Sequence, residues 1–239
     1  MSEPNGAVAV MQPYVFPYLG YFHLVEAARD FVFYDDVNFI KRGWINRNTV
    51  LRAGNPAKFT VPLTDASQNR PINRIETADL PAFRKSFLTQ LQHAYGKAPF
   101  YARGRDYVAA VLDGPNRKIS ELAALSVTAF YDLIGRPKVF HTASLLSPDT
   151  RGQTREARLV NITKALGAPR YVNAMGGREL YDKADFAALG VRLDFVRPHL
   201  RDYPQTGTPV FVPGLSIIDI VMNVDTDAIP RLLTDFTLE

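Results

Sequence analysis

The apolar positions alternate between two periods along this chain. GAVAVMQ, residues Gly6 to Gln12, is a short continuous apolar run and reads as a buried strand. YFHLVEAARD follows with Phe22, Val25 and Ala28 at helical spacing, and FVFYDDVNF is β-rich again. Strand, glycine-containing turn, helix and strand in that order make a βαβ unit, which predicts a parallel sheet covered by helices.

WINRNTVLRAGNPAKFTVPL reads as two strands around the turn Ala53-Gly54-Asn55-Pro56, hence a hairpin. From Leu80 to Leu112, Phe83, Phe87, Leu91 and Tyr95 form a helical stripe that Gly96 and Pro99 break. Asn116 to Ile134 is a second strong helix with Ile119, Leu122, Ala123, Val127 and Phe130 on one face, stopped by Gly135 and Pro137. Lys138 to Ser144 looks like a strand.

From Thr150 the same alternation repeats in kind. TREARLVNITKALGA predicts a helix ending at Gly167, PRYVNA a strand, MGGRELYDKADFAALG a turn with one or two helical pieces, and VRLDFVRP a strand. RDYPQTGTPVFVPG is a proline-broken loop, LSIIDIVMNV a helix and IPRLLTDFTLE a short terminal helix. The predicted fold class is therefore α/β, a Rossmann-like open, mainly parallel sheet with flanking helices, a β-hairpin after the second strand and a helical appendage. One domain over 1–239 is expected, with the hairpin and helices of roughly 44–135 as a candidate subdomain.

Composition changes this picture little. A chain of 239 residues with 46% hydrophobic content can bury a substantial core. Cysteine is absent, which excludes disulfides, a Cys nucleophile and thiolate metal sites. The opening residues lack a signal-peptide pattern and no apolar run is long enough to span a bilayer, so the cytoplasm is the expected compartment. A net charge of +4 suits an anionic small substrate and supports a nucleic-acid partner only weakly. His23, His93, His141 and His199 show no metal-binding spacing, and no metal site is expected.

Three stretches carry candidate chemistry. In MQPYVFPYLGYF, Pro17 to Tyr21 sits between the first strand and the first helix, where open parallel sheets hold ligands. Gln12, Tyr14, Tyr18, Gly20 and Tyr21 are candidate substrate-binding residues, the tyrosines to stack or hydrogen-bond and Gly20 to let backbone approach a ligand. In YDDVNFIKRGWINRN, Asp35 and Asp36 end a predicted strand and point to opposite faces. One can then face the site while the other pairs with a cation. Lys41, Arg42, Asn46 and Arg47 follow, suited to phosphate or carboxylate. In DYPQTGTPVFVPGLSIIDIVMN, Ser216, Asp219 and Asn223 share one face of an apolar helix, with Gln205 upstream. A buried Asp219 requires a cation such as Lys41 or a shifted pKa. Alternatively Ser216 is an N-cap and Asp219 a first-turn partner of the helix dipole. Asp36 and Asp219 are the candidate general bases, with Lys41 the third candidate catalytic residue. Gly176 and Gly177, between a strand and a helix, read as an anion nest or a plain turn.

Two resemblances follow from these residues. Tyr18-Leu19-Gly20-Tyr21 is similar in spacing to the HxGH signature of Rossmann-like adenylyl-transferring enzymes, with both histidines replaced by tyrosine. MQPYVFPYLGYF, YDDVNFIKRGWINRN, and YPQ followed by FVPGLSIIDIVMN resemble the WbqC-like proteins in order and spacing. That second resemblance implies transfer of glycine or another aminoacyl or acyl group to an amino sugar on a nucleotide carrier, in surface polysaccharide (O-antigen) biosynthesis. Expected partners are a nucleotide sugar and an acyl or aminoacyl donor, a charged transfer RNA being the one nucleic acid considered. No cofactor is specified. The alternatives are a nucleotidyltransferase or ATP-dependent ligase, and a non-catalytic binding protein.

Overall fold

The computed structural model describes residues 6–239. The chain opens with β1 (Ala7–Met11), α1 (Leu19–Glu26) and β2 (Asp30–Phe33), and β2 pairs parallel to β1. Next comes an antiparallel hairpin of β3 (Arg47–Arg52) and β4 (Asn55–Thr60). Its two-residue tip, Ala53 and Gly54, has φ of 50° and 75°, the left-handed pair that a tight hairpin demands. A small ribbon of β5 (Leu63–Thr64) and β6 (Glu76–Thr77) leads into α2 (Leu80–Tyr95), α3 (Tyr101–Val111) and α4 (Ile119–Leu133). The remaining elements are β7 (Val139–Thr142), α5 (Ala143–Leu146), α6 (Arg155–Ala165), β8 (Arg170–Ala174), α7 (Lys183–Ala188), β9 (Arg192–Pro198), α8 (Ile217–Asn223), α9 (Ile229–Leu233) and β10 (Phe236–Leu238).

The main sheet has the order β10-β9-β8-β1-β2-β7, parallel except for β10. β1 lies at its centre and alternates between two cores. Ala7 and Ala9 face one with α1, α4 and α8, while Val8 and Val10 face the other with Leu159, Ile162 and Phe186. A central parallel strand covered on both faces must be apolar throughout, which is why GAVAV is legible as a strand. Hairpin residues Val50 and Phe59 and helix residues Phe87, Val108 and Leu122 belong to the first of these cores.

Three sequence expectations need correction. FVFYDDVNF is a strand only to Phe33, because Asp35 turns away to receive bonds from the Ser144 backbone N–H, the Ser144 hydroxyl and the Asn73 amide at 3.0, 2.6 and 2.9 Å. The terminal helix stops at Leu233, and Phe236–Leu238 joins β9 as an antiparallel edge strand. The strand over Lys138 to Ser144 gives way to α5 at Ala143. The β5 and β6 ribbon has no strand pattern of its own, being two residues long on each side. Among the described residues no helix is long and apolar enough to cross a membrane.

Candidate functional site

Strand order sets where the crevice of an open parallel sheet lies. From β1 the chain winds to β2 and β7 on one side, and later places β8 and β9 on the other. The crevice beyond the carboxyl ends of β1 and β8 is thus a topological switch point, the usual ligand position in open parallel sheets. A cavity of about 700 Å³ occupies it. Gln12, Tyr14, Tyr18, Gly20 and Tyr21 line it from the exit of β1 and the start of α1. Tyr34, Asn38, Ile40 and Trp44 line it from beyond β2. Opposite lie Arg155 of α6, Asn173 at the end of β8, Gly176 and Gly177, then Leu180 and Tyr181.

The β1 to α1 connection is rigid. Phe16 has φ of 44°, a costly left-handed conformation for an aromatic residue. Three polar side chains hold it there. Its N–H donates to the Ser126 hydroxyl at 2.9 Å, and its carbonyl accepts from Asn48 at 2.8 Å and from Ser216 at 2.7 Å. Beyond it, the Tyr21 hydroxyl donates to the Gln12 carbonyl at 3.0 Å, and the Tyr14 and Tyr21 rings are 5.4 Å apart. Gly20 does allow a close approach, but of Tyr18. A β-carbon at Gly20 would lie 2.4 Å from Cε2 of the Tyr18 ring. Burial raises the pKa of Tyr14, Tyr18, Tyr21, Tyr34 and Tyr181 above the ordinary phenol value. At neutral pH the crevice therefore presents neutral hydroxyl groups, able to donate as well as accept.

The second candidate stretch divides between the wall and the rim. Asp36 is buried, and both of its oxygens accept from Nη2 of Arg158 at 2.7 Å. The Arg158 guanidinium lies 4.7 Å from the centroid of Tyr34. Asp36 thus reaches the crevice through Arg158 and Tyr34, and Asp35 is occupied by Ser144 and Asn73. Lys41 and Arg42 are exposed in the turn between Ile40 and Trp44, at the mouth. The Asn46 amide donates to the Val61 carbonyl at 2.8 Å, and Arg47 Nε to the Gly43 carbonyl at 2.7 Å.

The third stretch does not join the crevice. Asp219 is completely buried; it accepts from the Tyr95 hydroxyl at 2.9 Å and from the Gln205 amide at 3.1 Å. Lys41 is not its partner. Burial raises its pKa, and the bonds from Tyr95, Tyr203 and Gln205 work against that rise. The Asn223 amide donates to the Asp219 carbonyl at 2.8 Å, and its oxygen accepts from the N–H and hydroxyl of Thr206. Ser216 is the N-cap of α8, accepting from the Ile218 N–H at 3.3 Å. This network ties the loop over 201–214 to α8.

Sequence reasoning did not single out Tyr34, Asn38, Arg155, Asn173 or Tyr181. Tyr34 and Asn38 stood inside the quoted aspartate stretch. The others reach the crevice only because β8 pairs with β1. Gly176 and Gly177 form a 3-10 turn with Met175, and the Asn173 side chain fills the space over Gly177, with Nδ2 at 2.3 Å from an added β-carbon. Among the described residues no group of His, Asp and Glu is arranged to hold a metal.

Comparisons with known proteins agree with the motif resemblance. Uncharacterized protein Rv1507c of Mycobacterium tuberculosis is 28% identical over 224 residues, which span 92% of this chain and 95% of that protein. No solved structure matches the chain. The profile of the WbqC-like protein family matches residues 12–231, and the matched span takes in both the crevice and the network around Asp219; the chain belongs to the WbqC-like protein family.

Proposed function

We propose that this chain is a group transferase, moving an activated aminoacyl or acyl group onto the amine of a sugar held by a nucleotide carrier. The supporting observation is the make-up of the switch-point crevice. Aromatic rings, the amides of Gln12, Asn38 and Asn173, and Arg155 line it, and none of the described lining residues is a carboxylate or an imidazole. Rings suit a base or sugar and Arg155 a diphosphate. An activated ester or thioester needs little acid-base help. The amine attacks the carbonyl carbon, the C–O or C–S bond breaks, and the leaving oxygen or sulfur takes up the proton that the nitrogen loses. The oxyanion formed on the way would be met by the neutral tyrosine hydroxyls and amides.

On this reading Asp36 and Asp219 are positioning residues. Asp36 fixes Arg158 against Tyr34, and Asp219 fixes the loop carrying Gln205. Lys41 and Arg42 receive the anionic end of a substrate at the mouth. The test is calorimetric titration with UDP- and dTDP-linked amino sugars and with ATP. Binding of the amino sugar nucleotides, weakened by Tyr14→Ala and independent of magnesium, is expected. Absence of binding to any nucleotide overturns the reading.

A second reading, nucleotidyl transfer, is favoured by one observation. Tyr18, the N-cap of α1, and Leu19 to Tyr21 of its first turn lie at the end of the connection from β1 to α1, where adenylyl-transferring enzymes carry HxGH. It predicts magnesium-dependent ATP binding and release of pyrophosphate.

A further inference from the structure

Between Asp36 and Asp65 the chain has five cations, Lys41, Arg42, Arg47, Arg52 and Lys58, and no carboxylate. The whole chain carries only +4, so this one segment accounts for the excess and the remainder is close to neutral. Among the described residues none of the five forms an ion pair with a carboxylate. Charge left without a carboxylate partner creates a field outside the fold.

The hairpin brings two of these cations beside one ring. Arg47 pairs with Thr60 and Lys58 with Thr49, so Arg47 and Lys58 share a face. Their cationic groups lie 5.8 and 6.0 Å from the centroid of Trp44. Trp44 is 43% exposed and lines the mouth of the crevice with Ile40. Lys41 and Arg42 fill the turn between them, closed by the Gly43 N–H on the Ile40 carbonyl at 3.1 Å. The bond from Arg47 to the Gly43 carbonyl joins that turn to the hairpin. The indole is therefore a fixed platform rather than a loose side chain.

An open indole flanked by cations is the chemistry that binds a single-stranded nucleic acid, one base stacking on the ring while its phosphates meet the lysines and arginines. A nucleotide sugar in the crevice meets this face only at Lys41 and Arg42 and leaves the hairpin cations Arg47 and Lys58 unused. A carrier protein would need apolar contact area, but the hairpin face beside Trp44 offers Thr49, Thr60 and cations. We infer that the Trp44 face docks the single-stranded end of an RNA, whose terminal nucleotide enters the crevice. On the transferase reading, that terminus carries the aminoacyl ester. Its C–O bond breaks as the amide C–N bond forms, and the ribose hydroxyl leaves with the proton given up by the amine. Only this last step rests on the proposed function; the docking does not.

Trp44 is the sole tryptophan, so its emission reports stacking directly. The experiment titrates the full chain with a single-stranded RNA of about eight nucleotides, following tryptophan quenching and the anisotropy of a labelled strand. Quenching is expected, with a log–log salt slope of about −2 for three neutralised phosphates. Trp44→Ala should weaken binding about tenfold through lost stacking, and Lys41→Glu with Arg42→Glu should flatten the salt slope. Lys58→Glu is the second variant, and circular dichroism checks that each remains folded. No binding at low salt, binding indifferent to Trp44→Ala, or preference for an acidic carrier protein over RNA would each overturn the inference. RNA binding without amino sugar nucleotide binding would overturn the proposed function and leave the docking surface intact; the reverse result would overturn only the docking.

Discussion

Tyr18 folds its ring over the backbone of Gly20, two residues further along the chain, so closely that a β-carbon at Gly20 would stand 2.5 Å from the phenol oxygen. This contact sets the direction of the aromatic wall at the N-terminus of α1. The space that glycine leaves open is filled by the protein itself.

Gly20→Ala should therefore act on Tyr18 more than on stability. The obstructed atoms belong to the free end of a half-exposed side chain, which can swing away, and alanine favours the helix by about 1 kcal/mol. Thermal unfolding is expected to stay within about 1 kcal/mol of wild type, while on the proposed function amino sugar nucleotide binding falls. In a Tyr18→Ala background the Gly20→Ala effect on binding should vanish, since the coupling requires the ring. Full additivity in calorimetry would refute it.

Asp36 and Arg158 are a buried pair, their side chains 1% and 6% exposed. Arg158→Met strands a buried carboxylate and should cost about 3–5 kcal/mol in urea unfolding. Arg151, 3.6 Å away and 56% exposed, offsets only part of this. Asp36→Leu combined with Arg158→Met should recover much of the stability, because two buried charges are removed together. Ligand binding should remain weak in the double variant, as Tyr34 has lost the guanidinium behind its ring. Restored binding would mean that Asp36 and Arg158 do not position Tyr34.

Asp219→Asn introduces a donor that faces the Gln205 amide, a conflict worth about 1–3 kcal/mol. The pH dependence carries the sharper signature. Burial raises the Asp219 pKa above its unfolded value, so the folded state holds the proton more tightly and wild type loses stability as pH rises from the unfolded pKa through the folded one. The asparagine variant has no such loss. Its deficit relative to wild type should be largest in acid and shrink on the way to neutral pH. A gap that widens with pH would show that the hydrogen bonds from Tyr95, Tyr203 and Gln205 outweigh burial.

Gly104 of α3 lies against Met222 of α8, with Cγ only 2.4 Å from an added β-carbon. Gly104→Ala should cost about 1–3 kcal/mol by overpacking, and less in a Met222→Ala background. Chemical denaturation of the two single variants and the double tests this, and equal costs in both backgrounds would place the strain elsewhere.

Much of the architecture was legible locally. GAVAVMQ reads as a strand because β1 is covered on both faces, and the helix over Leu80 to Tyr95 reads from its aromatic stripe and ends at Gly96. The terminal strand was not legible. Phe236–Leu238 owes its conformation to hydrogen bonds with Val196 to Pro198, and a three-residue edge has no period of its own. The candidate site divides in the same way. Gln12, Tyr14, Tyr18, Gly20 and Tyr21 come from one junction and reach one crevice, so a local reading finds them together.

The sequence by itself determined the βαβ start, the breakers at Gly96 and Gly135, the hairpin and the aromatic junction after β1, because each depends on side-chain period or backbone freedom within a few residues. Tertiary structure alone decided that β8 lies beside β1, bringing Arg155 and Asn173 to face Tyr14 across the crevice. It also decided that Asp219, shared with Ser216 and Asn223 on one helix face, looks toward Tyr95 and Gln205 instead. Strand order follows from which edges pair after collapse, and a buried carboxylate goes wherever donors gather. Neither is encoded in the spacing of neighbouring residues.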